Sequence, residues 1–135
     1  MEIAGTVDAN AATTATTASS SSGGGIWLVS RFAPKFAETA SLRVRGGYKC
    51  TGAGKAGGGG RAAIGIRLSD AQLRSLVRTG TMDSVAKFDA TAAWLAAHPL
   101  VSVDLADGEG ETTGVHAGTF RVLDATPRGT TLILR

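Results

Sequence analysis

At 135 residues the chain is long enough for one domain that buries roughly two-thirds of its unfolded surface around a single core. Apolar residues make up 43% and aromatics only 5%, so that core is built from Ala, Val, Ile and Leu with a few rings, and a formal net charge of +3 hides an uneven distribution. One cysteine, Cys50, excludes an intramolecular disulfide or a cysteine-based zinc cluster, and no apolar run or signal-peptide pattern points to a membrane, so a virion or cytoplasmic assembly is the expected location.

Residues 1–25 differ from the rest. "ANAATTATTASSSSGGG" is nearly all Ala, Thr, Ser and Gly, with no apolar period of 2 or 3.6, and such a segment cannot pack a core of its own. It reads as a low-complexity N-terminal arm, either a flexible tail or a segment that reaches onto a neighbouring subunit, ahead of a single domain over 26–135.

From Ile26 the pattern becomes periodic. "IWLVSRF" (26–32) is a short apolar run of β-formers. In "TASLRVRGGYKC" Leu42 and Val44 alternate with Arg43 and Arg45, and in "RAAIGIRL" Ala62, Ile64, Ile66 and Leu68 alternate with Arg61, Ala63, Gly65 and Arg67. These are two half-buried strands, expected to form an antiparallel hairpin with a glycine-rich loop at about 51–60. That loop, "KCTGAGKAGGGGRAA", resembles a phosphate cradle only in part. A P-loop needs Ser or Thr after Gly-Lys to ligate magnesium, yet Ala56 follows Gly54-Lys55, and Lys49 stands where the first glycine belongs. A mobile hairpin tip that orders against a partner fits better than a nucleotide site.

Ser69-Asp-Ala-Gln72 is a capping box, with Leu68 and Leu73 placed to staple it. It predicts a helix with Leu73, Leu76 and Val77 as its apolar stripe, Arg74 and Arg78 near its negative end, and Gly80 as terminator. A second helix is expected from about Asp83 or Ser84 to Ala97, striped by Val85, Phe88, Ala92 and Leu95 and ended by Pro99. Beyond it "LVSVDL", "GVHAGTFRVL" and "TTLILR" read as strands, with "DATPRG" as a turn. Strands and helices segregate along the chain, so the expected class is α+β: a largely antiparallel sheet or sandwich of about six strands, two central helices and an N-terminal extended arm.

Between residues 31 and 78 stand ten lysines and arginines against two acids, and between 79 and 127 two against seven. Oppositely charged halves suit contact between identical copies. If the halves interleave in space, the same charges form ordinary surface pairs instead.

Catalytic patterns are missing. His98 and His116 have no metal-ligand spacing, and no G-x-S-x-G turn supports a nucleophile, so no enzyme, cofactor or metal is expected. The acidic run holding Asp104, Asp107, Glu109 and Glu111 does not fit an EF-hand loop and reads as a solvated turn. The candidate contact residues are therefore those acids together with Arg43, Arg45, Lys49, Lys55, Arg61 and Arg67. The leading expectation is a non-enzymatic subunit of a large assembly, of the capsid, decoration or tail kind, interlocking with itself or other structural proteins through its arm and glycine loop. The alternative is a nucleic-acid-binding protein that tracks phosphates with its basic strands, although Tyr48 is the single aromatic near them.

Overall fold

In the computed structural model, residues 1–12, 20–48, 55–79, 88–108 and 116–126 are described. They form, in chain order, β1 (Glu2–Ile3), β2 (Thr6–Asp8), β3 (Gly25–Val29), β4 (Lys35–Phe36), β5 (Ser41–Arg43), β6 (Arg61–Ile66), α1 (Asp70–Thr79), β7 (Phe88–Asp89), α2 (Thr91–Ala97), β8 (Ser102–Asp104) and β9 (Thr119–Asp124). Strands pair with distant segments rather than with their neighbours in sequence. β1 and β4 make a first sheet, β2, β5 and β8 a second, and β3, β6 and β9 a third, every pairing parallel; the two-residue β7 alone runs antiparallel, on the outer side of β9.

The chain thus visits the three sheets in turn as β1-β2-β3, repeats the circuit as β4-β5-β6, and after an insertion of α1, β7 and α2 returns to the second and third sheets as β8 and β9. This is a three-sided parallel β-solenoid of three stacked rungs. It overturns the largely antiparallel sheet or sandwich expected from the sequence. β5 and β6 belong to different sheets, so they are not the arms of a hairpin. Nor do the first residues form an extended arm: Thr6, Val7 and Asp8 stand in register with Ser41, Leu42 and Arg43, and Gly25 opposite Arg61. Alternation identifies a strand with one buried face, but carries no information about which strand lies beside it.

The interior is shared by all three sheets. Ile26, Leu42, Val44, Ala62, Ile64, Ile66, Trp94 and Val122 form one buried cluster, flanked by Val7, Leu28, Phe36, Val103 and Phe120. Its layers follow the register: Val7, Leu42 and Val103 stack through the second sheet, and Leu28, Ile64 and Val122 through the third. Each fully buried side chain of this size contributes about 1.5–3 kcal/mol.

The inserted helices meet the sequence reading unequally. Ser69 Oγ accepts from the Gln72 N–H (3.3 Å) and Gln72 Oε1 from the Ser69 N–H (2.7 Å), the reciprocal capping box at the start of α1. Leu73 packs on Leu68, but Val77 is 89% exposed and lies outside the buried stripe expected for it. The second helix begins at Thr91, not at Asp83 or Ser84; Phe88–Asp89 is a strand, and residues 80–87 lie outside those described. Its buried residue is Trp94, whereas Leu95 and Ala92 face solvent. A stripe counted from position 83 assumed one continuous helix, whereas α2 starts at Thr91, after a strand, and turns Trp94 inward. The strand expected at "TTLILR" falls outside the described residues.

Candidate functional site

In each rung the glycine just before the third-sheet strand bonds back to the residue just after the second-sheet strand, and this closure forms one corner. The N–H of Gly24 donates to Ala9 O (2.7 Å), that of Gly60 to Val44 O (2.6 Å) and that of Gly118 to Leu105 O (2.7 Å). Given the register, these are the same hydrogen bond repeated three times. Further bonds join the rungs across the corner: Gly23 N–H to Gly58 O, Gly47 N–H to Ser21 O, Gly46 N–H to Ala106 O, and Gly108 N–H to Gly57 O. Backbone rests directly on backbone there. A Cβ on Gly57 would lie 1.8 Å from Ser21 O, on Gly60 2.1 Å from Gly24 O, and on Gly108 1.7 Å from Gly47 O, so no larger residue fits without a backbone shift. Residues 57–60 are thus the packed inside of a corner, not the mobile hairpin tip that their composition suggested.

Outside this corner lies a groove of about 510 Å³. Ser20 and Ser22 reach it from the first rung, Lys55 and Arg61 from the second, and His116 and Thr119 from the third, over a floor of residues 57–60 and Gly118. Lys55, Arg61 and His116 are exposed, and no carboxylate is among the described lining residues. Arg61 opens β6, with Gly25 beside it on one side and Thr119 on the other, so its register partners bring it no acid. The His116 carbonyl accepts from the Gly59 N–H (3.0 Å) and the Lys55 carbonyl from the Ser20 N–H (3.0 Å), which ties the His116 backbone to the glycine corner and the Lys55 backbone to the first rung. The chain runs from Lys55 into strand β6 rather than into a helix, so the P-loop arrangement is absent at this glycine run.

The other candidate contact residues are scattered. Arg43 stands in the second sheet between Asp8 and Asp104 in register, with its Nε donating to Ser41 Oγ (3.2 Å). Arg45 is exposed and its N–H is taken by Asn10 Oδ1 (2.6 Å). Arg67 lies past the end of β6 at φ 59°, a left-handed position unusual for arginine, held by Asp124 (2.8 Å) and Thr126 (3.2 Å). Because Arg43 and Arg61 sit in different sheets, these arginines do not line one hairpin face. Asp104 accepts from the Ala106 N–H (3.1 Å), and Asp107 is half-buried beside Gly108. Lys49, Glu109 and Glu111 lie outside the described residues. Among those described, no group of acids, histidines or cysteines is placed to hold a metal.

The basic and acidic stretches meet in space: Arg67 pairs with Asp124 and Arg43 stands beside Asp104 in register, because the second rung comes from the basic stretch and the third from the acidic one, while Arg121 and Asp89 pair within the acidic stretch. Asp89 is held at a pKa of about 2, chiefly by the hydroxyl and N–H of Thr91 and then by Arg121. At Asp124 burial pushes the pKa up, but the Thr126 hydroxyl and N–H and the Arg67 guanidinium outweigh it, and the net shift is downward.

The two ends of the solenoid are unlike. On the third-rung side, β7 pairs with β9, and Thr91 ties α2 to it by accepting the Val122 N–H (2.9 Å). Trp94 of α2 packs edge-on to Phe36 (ring centroids 5.1 Å apart), stacks on His98 (4.4 Å) and tilts against Phe120 (5.3 Å). On the first-rung side, β1, β2 and β3 are each the outermost strand of their sheet among the described residues. β3 reads GIWLV, five residues without a charge, and its Trp27 is 47% exposed. Sequence reasoning found this strand but not that it is an edge, which only the pairing reveals.

No helix among the described residues is long and apolar enough to cross a membrane. The chain matches no protein-family description, no curated protein and no solved structure.

Proposed function

We propose that this chain is a non-enzymatic structural subunit of a larger assembly, such as a virion, and that it joins a second copy of itself through the open edge of its first rung. The observation that carries the reading is β3, an uncharged apolar strand at a sheet edge with a half-exposed tryptophan. Such an edge presents unpaired backbone groups and pairs readily with another strand, and proteins that avoid pairing place charges or proline there. β3 has neither.

The capped opposite end favours a symmetric contact. With β7 covering the outer edge of β9, the third sheet offers only a two-residue strand to a β3 arriving head to tail, whereas two β3 edges meet as a self-complementary two-fold interface. β3 of one copy then runs antiparallel to β3 of its partner and extends the third sheet. This contact replaces the arm and the hairpin loop as the means of association.

Sedimentation velocity with Trp27→Lys tests the reading. The unaltered protein is expected to sediment as a dimer or larger species that survives nuclease and high salt, and Trp27→Lys as a monomer with an unchanged melting temperature. A monomeric unaltered protein, or association that Trp27→Lys leaves intact, would overturn it. Association lost on nuclease treatment would favour nucleic acid as the partner.

A further inference from the structure

Phe32, just past the end of β3, is the most exposed aromatic side chain among the described residues, at 73%. Its N–H donates to Ser30 Oγ (3.3 Å), which fixes the turn while the ring stands in solvent. We propose that Phe32 anchors the contact between two copies by docking its ring in a glycine-lined hollow of the partner. The inference rests on the β3 pairing proposed above, and names the side chain and the receptor that make that pairing specific.

The register of the seam places them together. Ile26 is buried in the core and Leu28 packs against it, so an antiparallel seam that keeps the inner face inward pairs even-numbered residues of β3 with even-numbered ones. Centred on Trp27, it sets Ile26 against the partner's Leu28 and Gly25 against the partner's Val29. The ladder runs beyond β3 at both ends, since the Ser30 N–H donates to Gly65 O (2.9 Å) and Gly24 O accepts from the Arg61 N–H (3.0 Å). Ser30 then meets the partner's Gly24, Arg31 the partner's Gly23 and Phe32 the partner's Ser22. Sliding the seam to the next allowed register in either direction moves Phe32 only to the partner's Ser20 or the partner's Gly24.

That stretch borders a hollow of about 430 Å³, whose described lining is residues 22–25 of the first rung and 59–61 of the second. Five of these are glycines. The hollow is ample for one ring, because a cavity of about 150 Å³ already holds benzene. Glycine in a strand leaves backbone bare, and an aromatic ring from the facing strand covers it. Arg61 at the rim offers its guanidinium to the ring face. Arg31, next to Phe32, pairs with Asp70 of its own copy (2.5 Å), so its charge is met before the seam closes. Two-fold symmetry makes the contact twice, with one aromatic anchor in a pocket on either side of Trp27.

Sedimentation equilibrium of the full chain reads the dimer dissociation constant in Phe32→Ala, Gly25→Val and the double variant. A Cβ at Gly25 meets nothing nearer than Arg61 O at 3.9 Å, so the fold accepts valine while the hollow narrows. Each single variant is expected to weaken the dimer at least about tenfold. The double variant weakens it no further than the stronger single one, because a narrowed hollow has already expelled the ring. Leu100→Ala, at another exposed position, leaves the constant unchanged. Melting temperatures of all variants match that of the unaltered protein, and a drop confined to Phe32→Ala would show that the ring serves its own fold, overturning the proposal. An unchanged constant in Phe32→Ala, with association still lost in Trp27→Lys, would overturn the docking and leave the β3 contact standing. Additive losses in the double variant would likewise separate the ring from the hollow, and a monomeric unaltered protein would remove both readings.

Discussion

At the glycine corner, backbone lies against backbone, and the space a side chain would need is already filled by the carbonyls of Ser21, Gly24 and Gly47. Around Trp94 the opposite holds, with large rings of Phe36, His98 and Phe120 closing the space between a helix and the sheets. Both regions are closely packed. Glycine content is therefore no measure of mobility in a stacked fold, because the smallest residue permits the closest approach of one turn of chain to the next.

The largest effect is expected where large side chains close the end. Trp94→Ala removes the ring that touches Phe36, His98 and Phe120, and a buried large-to-small change of this kind costs about 3–5 kcal/mol. Denaturant unfolding measures it. A cost below that of a surface substitution would mean that α2 is not a cap.

Adding atoms at the corner is the complementary experiment. Gly57→Ala and Gly108→Ala introduce a Cβ less than 2 Å from a carbonyl oxygen, and forced backbone shifts cost about 1–3 kcal/mol. Gly5→Ala is the internal control, since nothing lies within 4 Å of its Cβ. Equal stability of the three variants in thermal unfolding would show that the corner is loose.

Next in size is the helix cap. Ser69→Ala deletes the oxygen that accepts the Gln72 N–H and is expected to cost about 1 kcal/mol in denaturant midpoint experiments. The smallest effect is electrostatic. Asp89 and Asp124 have folded-state pKa values below their unfolded ones, so the stability they confer is complete above the ordinary carboxylate range. It is lost as pH falls through the folded values, which for Asp89 means toward about pH 2. Asp89→Asn should flatten this acid limb of the stability profile, while an identical limb would place the effect elsewhere.

Local features were legible in the sequence, and partnership was not. The Ser69–Gln72 box marked α1 because a cap depends on residues three apart, and alternation at 61–68 marked β6 because pleating has a period of two. Stacking joins Val7 to Leu42 and Leu42 to Val103, pairs separated by unlike stretches of chain. The repeated closure of Ala9 with Gly24, Val44 with Gly60 and Leu105 with Gly118 is a true internal repeat. It has no fixed period, since α1, β7 and α2 intervene before the third rung. Of the candidate contact residues, Lys55 and Arg61 do converge on one groove. Their companions Ser20, Ser22, His116 and Thr119 carried no signal, because only the stacking of rungs brings them there.

Amide hydrogen exchange at Gly46, Gly57, Gly60 and Gly108 tests the stacked corner most directly. Each N–H is hydrogen-bonded, to Ala106, Gly47, Val44 and Gly57 respectively, and Gly46 and Gly108 bond across rungs. Protection comparable to that of Ile64 in the middle of β6 is the expected result. Exchange of these four amides at the rate of an unfolded chain, with Ile64 still protected, would contradict it and return the glycine run to the status of a mobile loop.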